Sequence, residues 1–182
     1  ADITPSNTPP TANDVFITTS EDSNTVTGDF NAVDPDSDDL LAYTITAAPS
    51  IGSVVINADG SFTYNFGNSF ESLNNNETAD VVFEYIASDD NAADSAPATV
   101  TVTINGSNDA PILSGTPSAL TNGTEDVAYL LKAPDLLQGY IDIDGDTLSI
   151  TSVTTASANG TLTPNGNSTW TYTPSQGLNG EV

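Results

Sequence analysis

Short segments in which apolar and polar residues alternate follow one another along most of the chain. Tyr43 and Ile45 are separated by threonine, and the same pattern recurs further along in Phe62, Tyr64 and Phe66 and in Val100, Val102 and Ile104. A period of two is typical of β-strands with one buried and one exposed face. No stretch has a sustained apolar stripe at helical spacing, so the pattern predicts an all-β protein.

The turns between these segments predict how the strands are arranged. Asp59-Gly60 lies between residues 54–57 and 61–66 and predicts a hairpin with a turn of the primed kind. The alternating segments give about seven short strands in roughly a hundred residues, the number expected of an immunoglobulin-like Greek-key β-sandwich. The remaining predicted strands are residues 15–18, 25–30 and 81–87.

The pattern occurs twice along the chain. Asp142, Asp144 and Asp146 lie 108 residues after Asp34, Asp36 and Asp38, and Glu125-Asp126 repeats Glu21-Asp22. We therefore predict a linker at residues 1–12, a first sandwich at 13–107 and a second at 108–182. The second copy has no counterpart of the strands around 81–87 and 100–104, so it is predicted to be truncated or split and to expose core-facing residues such as Trp170.

Charge narrows the range of partners. The 182 residues include 25 Asp plus Glu and a single cation, Lys132, which gives a formal net charge of −24. Two carboxylates 4 Å apart repel by about 1 kcal/mol in water and by about 4 kcal/mol near a protein surface, so clustered acids favour divalent cations as partners. Nucleic acid and anionic membranes are excluded as partners, because no basic patch exists. No apolar run is long enough for direct membrane insertion.

The chain also lacks Cys, Met and His. Disulfides, thiolate or imidazole metal sites and Cys- or His-based catalysis are therefore excluded. A glycosidase with paired carboxylates is disfavoured, because the acids fall in metal-like clusters and no nucleophile has an evident base. We predict that the protein is not an enzyme.

Two aspartate clusters carry the strongest chemical signal. Alternate carboxylates on an extended loop suit Ca²⁺, which takes six to eight oxygen ligands. An EF-hand is excluded because position twelve would be Ile45 or Val153, with no flanking helices. The alternative for each cluster is a solvated acidic loop without a specific ion. The candidate loop ligands are Asp34, Asp36, Asp38 and Asp39 in the first copy and Asp142, Asp144 and Asp146 in the second.

Further ligands must come from elsewhere in the sequence. The candidates are acidic or amide residues at the ends of predicted strands: Glu21, Asp22, Asp89, Asp90, Asn108, Asp109, Glu125 and Asp126. Asn108 and Asp109 belong to the joint at residues 105–111, where Pro111 fixes φ and biases Ala110 toward an extended conformation. We hypothesise that they share an ion with Asp142 and Asp144, and that this ion sets the angle of the joint.

The ordered set of motifs resembles a known family across nearly the whole chain. The matching elements are Gly28-Asp29-Phe30 before the first triplet, Leu41-Ala42-Tyr43-Thr44, Gly52-Ser53-Val54, Asp59-Gly60-Ser61-Phe62-Thr63-Tyr64, Gly106-Ser107-Asn108-Asp109-Ala110-Pro111, Gly160-Thr161-Leu162 and Trp170-Thr171-Tyr172-Thr173-Pro174. The chain thus resembles the cadherin-like and VCBS-type repeats of large bacterial RTX adhesins secreted by the type I route. There are two departures: Asp39 replaces the usual Gly, and the second copy resembles a domain split by an insertion that can carry a ligand-binding module.

The resemblance implies a Ca²⁺-rigidified extender at the bacterial cell surface, between the cell envelope and a ligand-binding tip, with a role in attachment or biofilm formation. Its partners would be Ca²⁺, neighbouring repeat domains of the same polypeptide, and a cell-surface or glycan ligand reached through other domains. The alternative is a carbohydrate- or protein-recognition module that uses Tyr140, Trp170 and Tyr172. Trp170 and Tyr172 share one strand face, which favours core packing instead.

Overall fold

The computed structural model describes residues 6–155 and 159–177. The first five residues of the predicted linker and residues 178–182 of the predicted second sandwich lie outside the described residues. The chain groups into two compact units, Ala1–Asn108 and Asp109–Val182. Both consist of short strands with very little helix, which confirms the predicted all-β class. No helix in the described ranges is long and apolar enough to cross a membrane.

In its described residues the first unit contains nine strands and one short 3-10 helix. β1 begins inside the segment predicted as linker, because Thr11–Asn13 pairs with residues 31–33. The strands are β1 (Thr11–Asn13), β2 (Val15–Ser20), β3 (Thr25–Asp29), β4 (Asn31–Val33), β5 (Ala42–Ala47), β6 (Ser53–Ile56), β7 (Ser61–Asn65), β8 (Thr78–Ser88) and β9 (Ala98–Asn105), and the 3-10 helix is Glu21–Ser23.

These strands form a two-layer sandwich. One sheet has the order β2-β9-β8-β5 and the other β3-β7-β6, while β1 and β4 form a separate pair. β2 runs parallel to β9, whereas the other pairs are antiparallel. The pairs β2–β9, β5–β8 and β3–β7 join strands that are far apart in sequence, as in the Greek-key arrangement predicted from the strand count, whereas β6–β7 and β8–β9 are consecutive along the chain.

Aromatic side chains from both sheets fill the core. Phe62 and Tyr64 of β7 are fully buried against Phe83 of β8, and the Phe62 and Phe83 rings meet edge to face at 5.3 Å. Each such burial stabilises the fold by about 1.5–3 kcal/mol. The buried hydroxyl of Tyr85 donates to the carbonyl of Asn13 at 2.7 Å and accepts the N–H of Asn31 at 3.1 Å, which ties β1 and β4 to the sandwich.

The hairpin between β6 and β7 is confirmed, but the predicted primed turn is wrong. Residues 57–60 form a four-residue loop in which the Gly60 N–H donates to the carbonyl of Asn57 at 3.1 Å. Only Gly60 in this loop has a positive φ, of 85°. The reason lies in Asp59, whose carboxylate accepts both the hydroxyl and the N–H of Ser61, at 2.7 and 3.1 Å. This local turn keeps Asp59 out of the left-handed region.

The second unit contains five strands and one short helix in its described residues. Pro134 lies in the first turn of the helix, where its missing N–H costs nothing. The elements are β10 (Ile112–Leu113), β11 (Tyr129–Lys132), α1 (Ala133–Leu136), β12 (Tyr140–Ile141), β13 (Gly160–Gly166) and β14 (Thr169–Pro174). The sheets are β11-β14-β13 and the pair β10-β12.

The β13–β14 hairpin repeats the β6–β7 hairpin in its hydrogen bonds. The Tyr64 hydroxyl donates to the Ile51 carbonyl at 2.8 Å, and the Tyr172 hydroxyl donates to the Asn159 carbonyl at 3.1 Å. Gly160 is required here, since a Cβ on it would lie 2.5 Å from the carbonyl oxygen of Thr173. The 108-residue repeat seen in the sequence is therefore a structural repeat at this hairpin.

The segments of the second unit that correspond to β2 and β5 do not form strands. Leu148 and Ile150 repeat the apolar positions Tyr43 and Ile45 of β5, yet residues 146–155 form no strand, and neither do residues 119–124, the counterparts of β2. Among the described strands of the first unit, β5 pairs only with β8, and β2 only with β9. The described part of the second unit has no counterpart of β8 or β9, so these two segments lack the strands to pair with.

Candidate metal centre

The aspartate loop of the first unit connects β4 to β5 and folds back on its first residue. The Asp36 N–H donates to Oδ1 of Asp34 at 2.8 Å, and the Asp39 N–H donates to the Asp36 carbonyl at 3.1 Å. The first of these bonds is typical of an aspartate turn, in which the side chain accepts a hydrogen bond from the backbone N–H two residues further along. The two bonds bring Asp34 and Asp39 to the same side of the loop.

Asp89, which follows β8, completes a cluster of three carboxylates. One oxygen each of Asp34, Asp39 and Asp89 lies within 4.8 Å of the other two. Asp89 is buried, and its Oδ1 accepts the N–H groups of Asn91 and Ala93 at 3.0 and 2.8 Å. The backbone of the loop after β8 therefore fixes the orientation of this carboxylate.

The electrostatics of the cluster favour a bound cation. The Ala93 N–H, followed by the Asn7 amide, lowers the pKa of Asp89, so this group is ionised at neutral pH. Desolvation raises the pKa of Asp39, and the charges of Asp90, Asp34 and Asp36 raise it further. In the described part of the first unit no Lys or Arg offsets this repulsion, because Lys132, the chain's one such residue, lies in β11.

One oxygen of the cluster has the environment expected of a metal ligand. Oδ2 of Asp34 is buried and accepts no hydrogen bond from the described residues. An unsatisfied buried carboxylate oxygen costs several kcal/mol unless a charge compensates it. The all-oxygen donor set suits a hard cation such as Ca²⁺ better than a transition metal. The residues of the first unit therefore fit a calcium ion.

The segment that leads into the first unit is tied to this cluster. The side-chain amide of Asn7 donates to Oδ2 of Asp89 at 2.8 Å. The Thr8 N–H donates to Oδ2 of Asp36 at 2.7 Å. One carboxylate of the cluster, Asp89, and one of the adjoining loop, Asp36, thus bind the segment before β1.

The aspartate loop of the second unit repeats this arrangement. The Asp144 N–H donates to Oδ1 of Asp142 at 3.1 Å, matching the bond from Asp36 to Asp34. Gly145 takes the tight bend with φ of 78°. The Asp109 N–H donates to Oδ2 of the buried Asp144 at 2.7 Å. Asp109 therefore takes the place that Thr8 has in the first unit.

The other candidate ligands are either bonded to the backbone elsewhere in their own unit or exposed. Glu21 is fully buried, and its carboxylate accepts the N–H groups of Leu73 and Ser107 at 3.2 and 2.7 Å within the first unit. Asp126 accepts the Gly177 N–H at 2.9 Å, beyond the end of β14. The remaining candidates are all exposed and are Asp22, Asp38, Asp90, Asn108, Glu125 and Asp146.

Two polar residues of the first site were not among the predicted ligands. Asn7 contacts Asp89, and the side chain of Asn91 donates to Oδ2 of Asp39 at 3.3 Å. A signal for Asn7 exists in the sequence, because Asn7-Thr8-Pro9 resembles Asn108-Asp109-Ala110-Pro111 at the joint. Asn91 has no comparable signal, since its role depends on the fold of the loop after β8.

Comparison with known families agrees with the fold and the repeat. Residues 7–106 match the family of bacterial cadherin-like domains, and residues 107–182 match a family of cadherin-like domains. The chain belongs to the bacterial cadherin-like domain family, which confirms the cadherin-like part of the resemblance. Cadherin-like domains are typically non-catalytic, and the bacterial ones are of an extracellular type.

The solved structures that are similar to this chain match it at low identity. The endo-fucoidan hydrolase MfFcnA4 of glycoside hydrolase family 107 is 18% identical with a TM-score of 0.41, over 92% of this chain and 24% of that chain. A SusE-like surface located polysaccharide binding protein from Bacteroides thetaiotaomicron is 15% identical with a TM-score of 0.34, over 56% of this chain and 15% of its own. The chain therefore spans about a quarter or less of the length of these proteins. No curated protein matches the chain.

Proposed function

We propose that this chain is a Ca²⁺-rigidified extender module of a bacterial cell-surface adhesin that mediates attachment or biofilm formation. Membership of the bacterial cadherin-like family supports an extracellular structural or adhesion module. On the basis of the sequence resemblance, we also propose that this adhesin is of the RTX type and is secreted by the type I route. The module would lie between the cell envelope and the ligand-binding tip.

One observation supports the proposal most strongly: each aspartate loop holds the segment that leads into its own unit. Asp36 accepts the N–H of Thr8, and Asp144 accepts the N–H of Asp109. An ion on either loop would neutralise the carboxylates and fix the leading segment against its sandwich. The chain before each sandwich would then lose the freedom to bend.

The proposed ligands follow from this arrangement. Asp34, Asp36, Asp39 and Asp89 would hold an ion in the first unit, and Asp109, Asp142 and Asp144 would hold one in the second. Ca²⁺ at a hundred times its Kd would stabilise the folded state by about 2.7 kcal/mol. That is a large part of the 5–15 kcal/mol that is typical of a whole domain.

Calorimetry and small-angle X-ray scattering of the whole chain test this proposal. Adding Ca²⁺ is expected to raise the Tm and to narrow the distribution of solution lengths, and EGTA is expected to reverse both changes. Replacing two ligands, Asp34→Asn with Asp89→Asn, should abolish the response of the first unit. Glu84→Gln removes a charge from the exposed face of β8 and should leave the response unchanged. If EGTA alters neither the Tm nor the solution length, the rigidification mechanism is wrong.

The recognition-module alternative has a weaker basis in the described residues. Tyr172 is buried and its hydroxyl is bonded to the Asn159 carbonyl, so it packs in the sheet and offers no flat platform. Tyr140 is 42% exposed but lies on a two-residue strand. Screening the chain against a glycan array distinguishes the two functions, since an extender binds none of the glycans directly.

A further inference from the structure

β2, near the start of the first unit, and β9, its last described strand, lie side by side and run in the same direction. They pair over six positions, from Val15 with Val100 to Ser20 with Asn105. The other strand pairs among the described residues of this unit are antiparallel. Because both strands of a parallel pair begin at the same end, the chain enters this pair at one end and leaves it at the other.

Hydrogen bonds outside the pair show that its two ends are opposite poles of the first unit. At the entry pole, the Asn7 amide donates to Asp89, which follows β8, and the end of β8 lies beside the start of β9. At the exit pole, the Ser107 N–H donates at 2.7 Å to the carboxylate of Glu21, which directly follows β2. The chain therefore crosses the unit from one pole to the other.

Tension on the chain at the two poles would act along the β2 and β9 axes in opposite directions. The two strands would have to slide past each other, so the bonds between them share the force and must break together. A pull that separates the starts of the two strands loads the same bonds one after another. A given force is then concentrated on one bond at a time, and the pair opens more easily.

Carboxylates reinforce the pair at both ends. At the entry end, Oδ1 of Asp14 accepts the N–H and the hydroxyl of Thr99, both at 2.8 Å. At the exit end, Glu21 accepts from Ser107. Hydrogen bonds to an ionised acceptor are stronger than neutral ones. The inward side chains of β9 are also fully buried in the core and resist displacement of the strand: Val100, Val102 and Ile104.

We infer that the β2–β9 pair is a mechanical clamp through which the first unit resists tension along the chain. The inference rests on the proposed extender role for the source of the tension, since a module between an envelope and an attached tip is pulled from both sides. The clamp itself is a property of the strand order and needs no ion. None of its bonds uses an aspartate of the proposed first ion site, namely Asp34, Asp36, Asp39 or Asp89.

Single-molecule force spectroscopy in two pulling directions tests the clamp. The chain has no cysteine, so two introduced cysteines define where force is applied. Thr8→Cys with Ala110→Cys pulls across the poles, and Thr8→Cys with Ala96→Cys pulls the starts of β2 and β9 apart. All three positions are exposed. Forced unfolding is governed by the unfolding rate, and at equal force this rate should be at least about tenfold lower for the pull across the poles.

A matched pair of variants separates the clamp from general stability. In both Asp14 and Asp59, Oδ1 accepts one N–H and one hydroxyl, from Thr99 and from Ser61 respectively. Asp14→Ala should raise the unfolding rate under tension across the poles by about tenfold, because two bonds between the clamp segments are lost. Asp59→Ala removes bonds within the turn between β6 and β7 and should leave that rate unchanged. Both should lower the Tm.

Three outcomes overturn the inference. The first is an equal unfolding rate in the two pulling directions, with equal Tm values showing that both cysteine variants are folded. The second is an equal effect of Asp14→Ala and Asp59→Ala on the rate under tension. The third is loss of the direction dependence in EGTA, which would assign the resistance to an ion. A direction dependence that persists in EGTA, in a chain whose Tm and solution length do not respond to Ca²⁺, would support the clamp and refute the rigidification mechanism.

Discussion

The β6–β7 hairpin of the first unit and the β13–β14 hairpin of the second are built alike, whereas the segments that flank them differ. Both hairpins have the same register as far as the pairs Ile56–Phe62 and Pro164–Trp170, beyond which only the second has a bulge. Both also have the same tyrosine-to-carbonyl bond, 108 residues apart. The β2 and β5 sequences have counterparts in the second unit that form no strands. Hairpins form from neighbouring residues, but β2 and β5 depend on partners tens of residues away. Strand formation at these positions is thus a property of the pairing more than of the local pattern.

The largest expected difference between the units concerns the core. Phe62→Ala should lower the free energy of unfolding of the first unit by about 3–5 kcal/mol, because it opens a cavity in a fully buried aromatic cluster. Trp170→Ala, at the matching position, should cost the second unit less, because Trp170 is half-buried. Calorimetry of the two variants measures this. Equal losses would mean that the two cores are equally well packed.

Glu21 and its counterpart Glu125 give the next contrast. Glu21→Ala leaves the N–H of Ser107 without its acceptor, at about 1–3 kcal/mol where that group is buried. It also removes one of the two acceptors of the Leu73 N–H, which still donates to the Phe70 carbonyl at 3.0 Å. Glu125 is exposed, so Glu125→Ala should change stability by less than about 0.5 kcal/mol. Urea unfolding of both variants measures the difference. If Glu21→Ala left the free energy of unfolding unchanged, water would have replaced the carboxylate as the hydrogen-bond acceptor.

Removing the tyrosine hydroxyl should destabilise the two hairpins by similar amounts. Tyr64→Phe and Tyr172→Phe each remove one hydroxyl-to-carbonyl hydrogen bond and should each cost about 0.5–1.5 kcal/mol. Thermal unfolding of each variant, with Trp170 fluorescence for the second unit, measures the losses. A loss confined to Tyr64→Phe would mean that the second hairpin is less rigid than its bond pattern indicates.

The smallest effect concerns the start of the parallel β2–β9 pair. The N–H and hydroxyl of Thr99 lower the pKa of Asp14 below its usual 3.8. The stabilisation is therefore present above pH 4 and is lost as the pH falls through the lowered pKa. Asp14→Asn should lower the Tm at pH 7 and have almost no effect near pH 2. A Tm difference that is the same at both pH values would refute this role of the carboxylate.

Alternation and turn residues were enough to predict the class, the seven main strands of the first sandwich and the β6–β7 hairpin. The geometry of the Asp59-Gly60 turn was not predictable from the pair alone, because the Ser61 hydroxyl decides the backbone of Asp59. The strands β1 and β4 were also missed. Each has only three residues and depends on the Tyr85 hydroxyl more than on a pattern.

For the candidate site, the sequence supplied the carboxylates but not their grouping. Asp34, Asp39 and Asp89 were all proposed as ligands, and only the fold places the loop after β8 beside the loop after β4. The buried role of Glu21 in holding Leu73 and Ser107 could not be read from a Glu-Asp pair. Such a pair usually marks an exposed turn, as it does at Glu125-Asp126.

The bond between Asn7 and Asp89 has a consequence for the order in which the protein matures. These residues are 82 positions apart, so a chain emerging from its N-terminus has synthesised most of the first unit before the two can meet. Until β8 is in place, the aspartate loop lacks its best-oriented carboxylate and an ion would find an incomplete set of ligands. Calcium capture at this site would therefore be a late event that marks a finished domain, and a chain kept unfolded would not take up the ion prematurely.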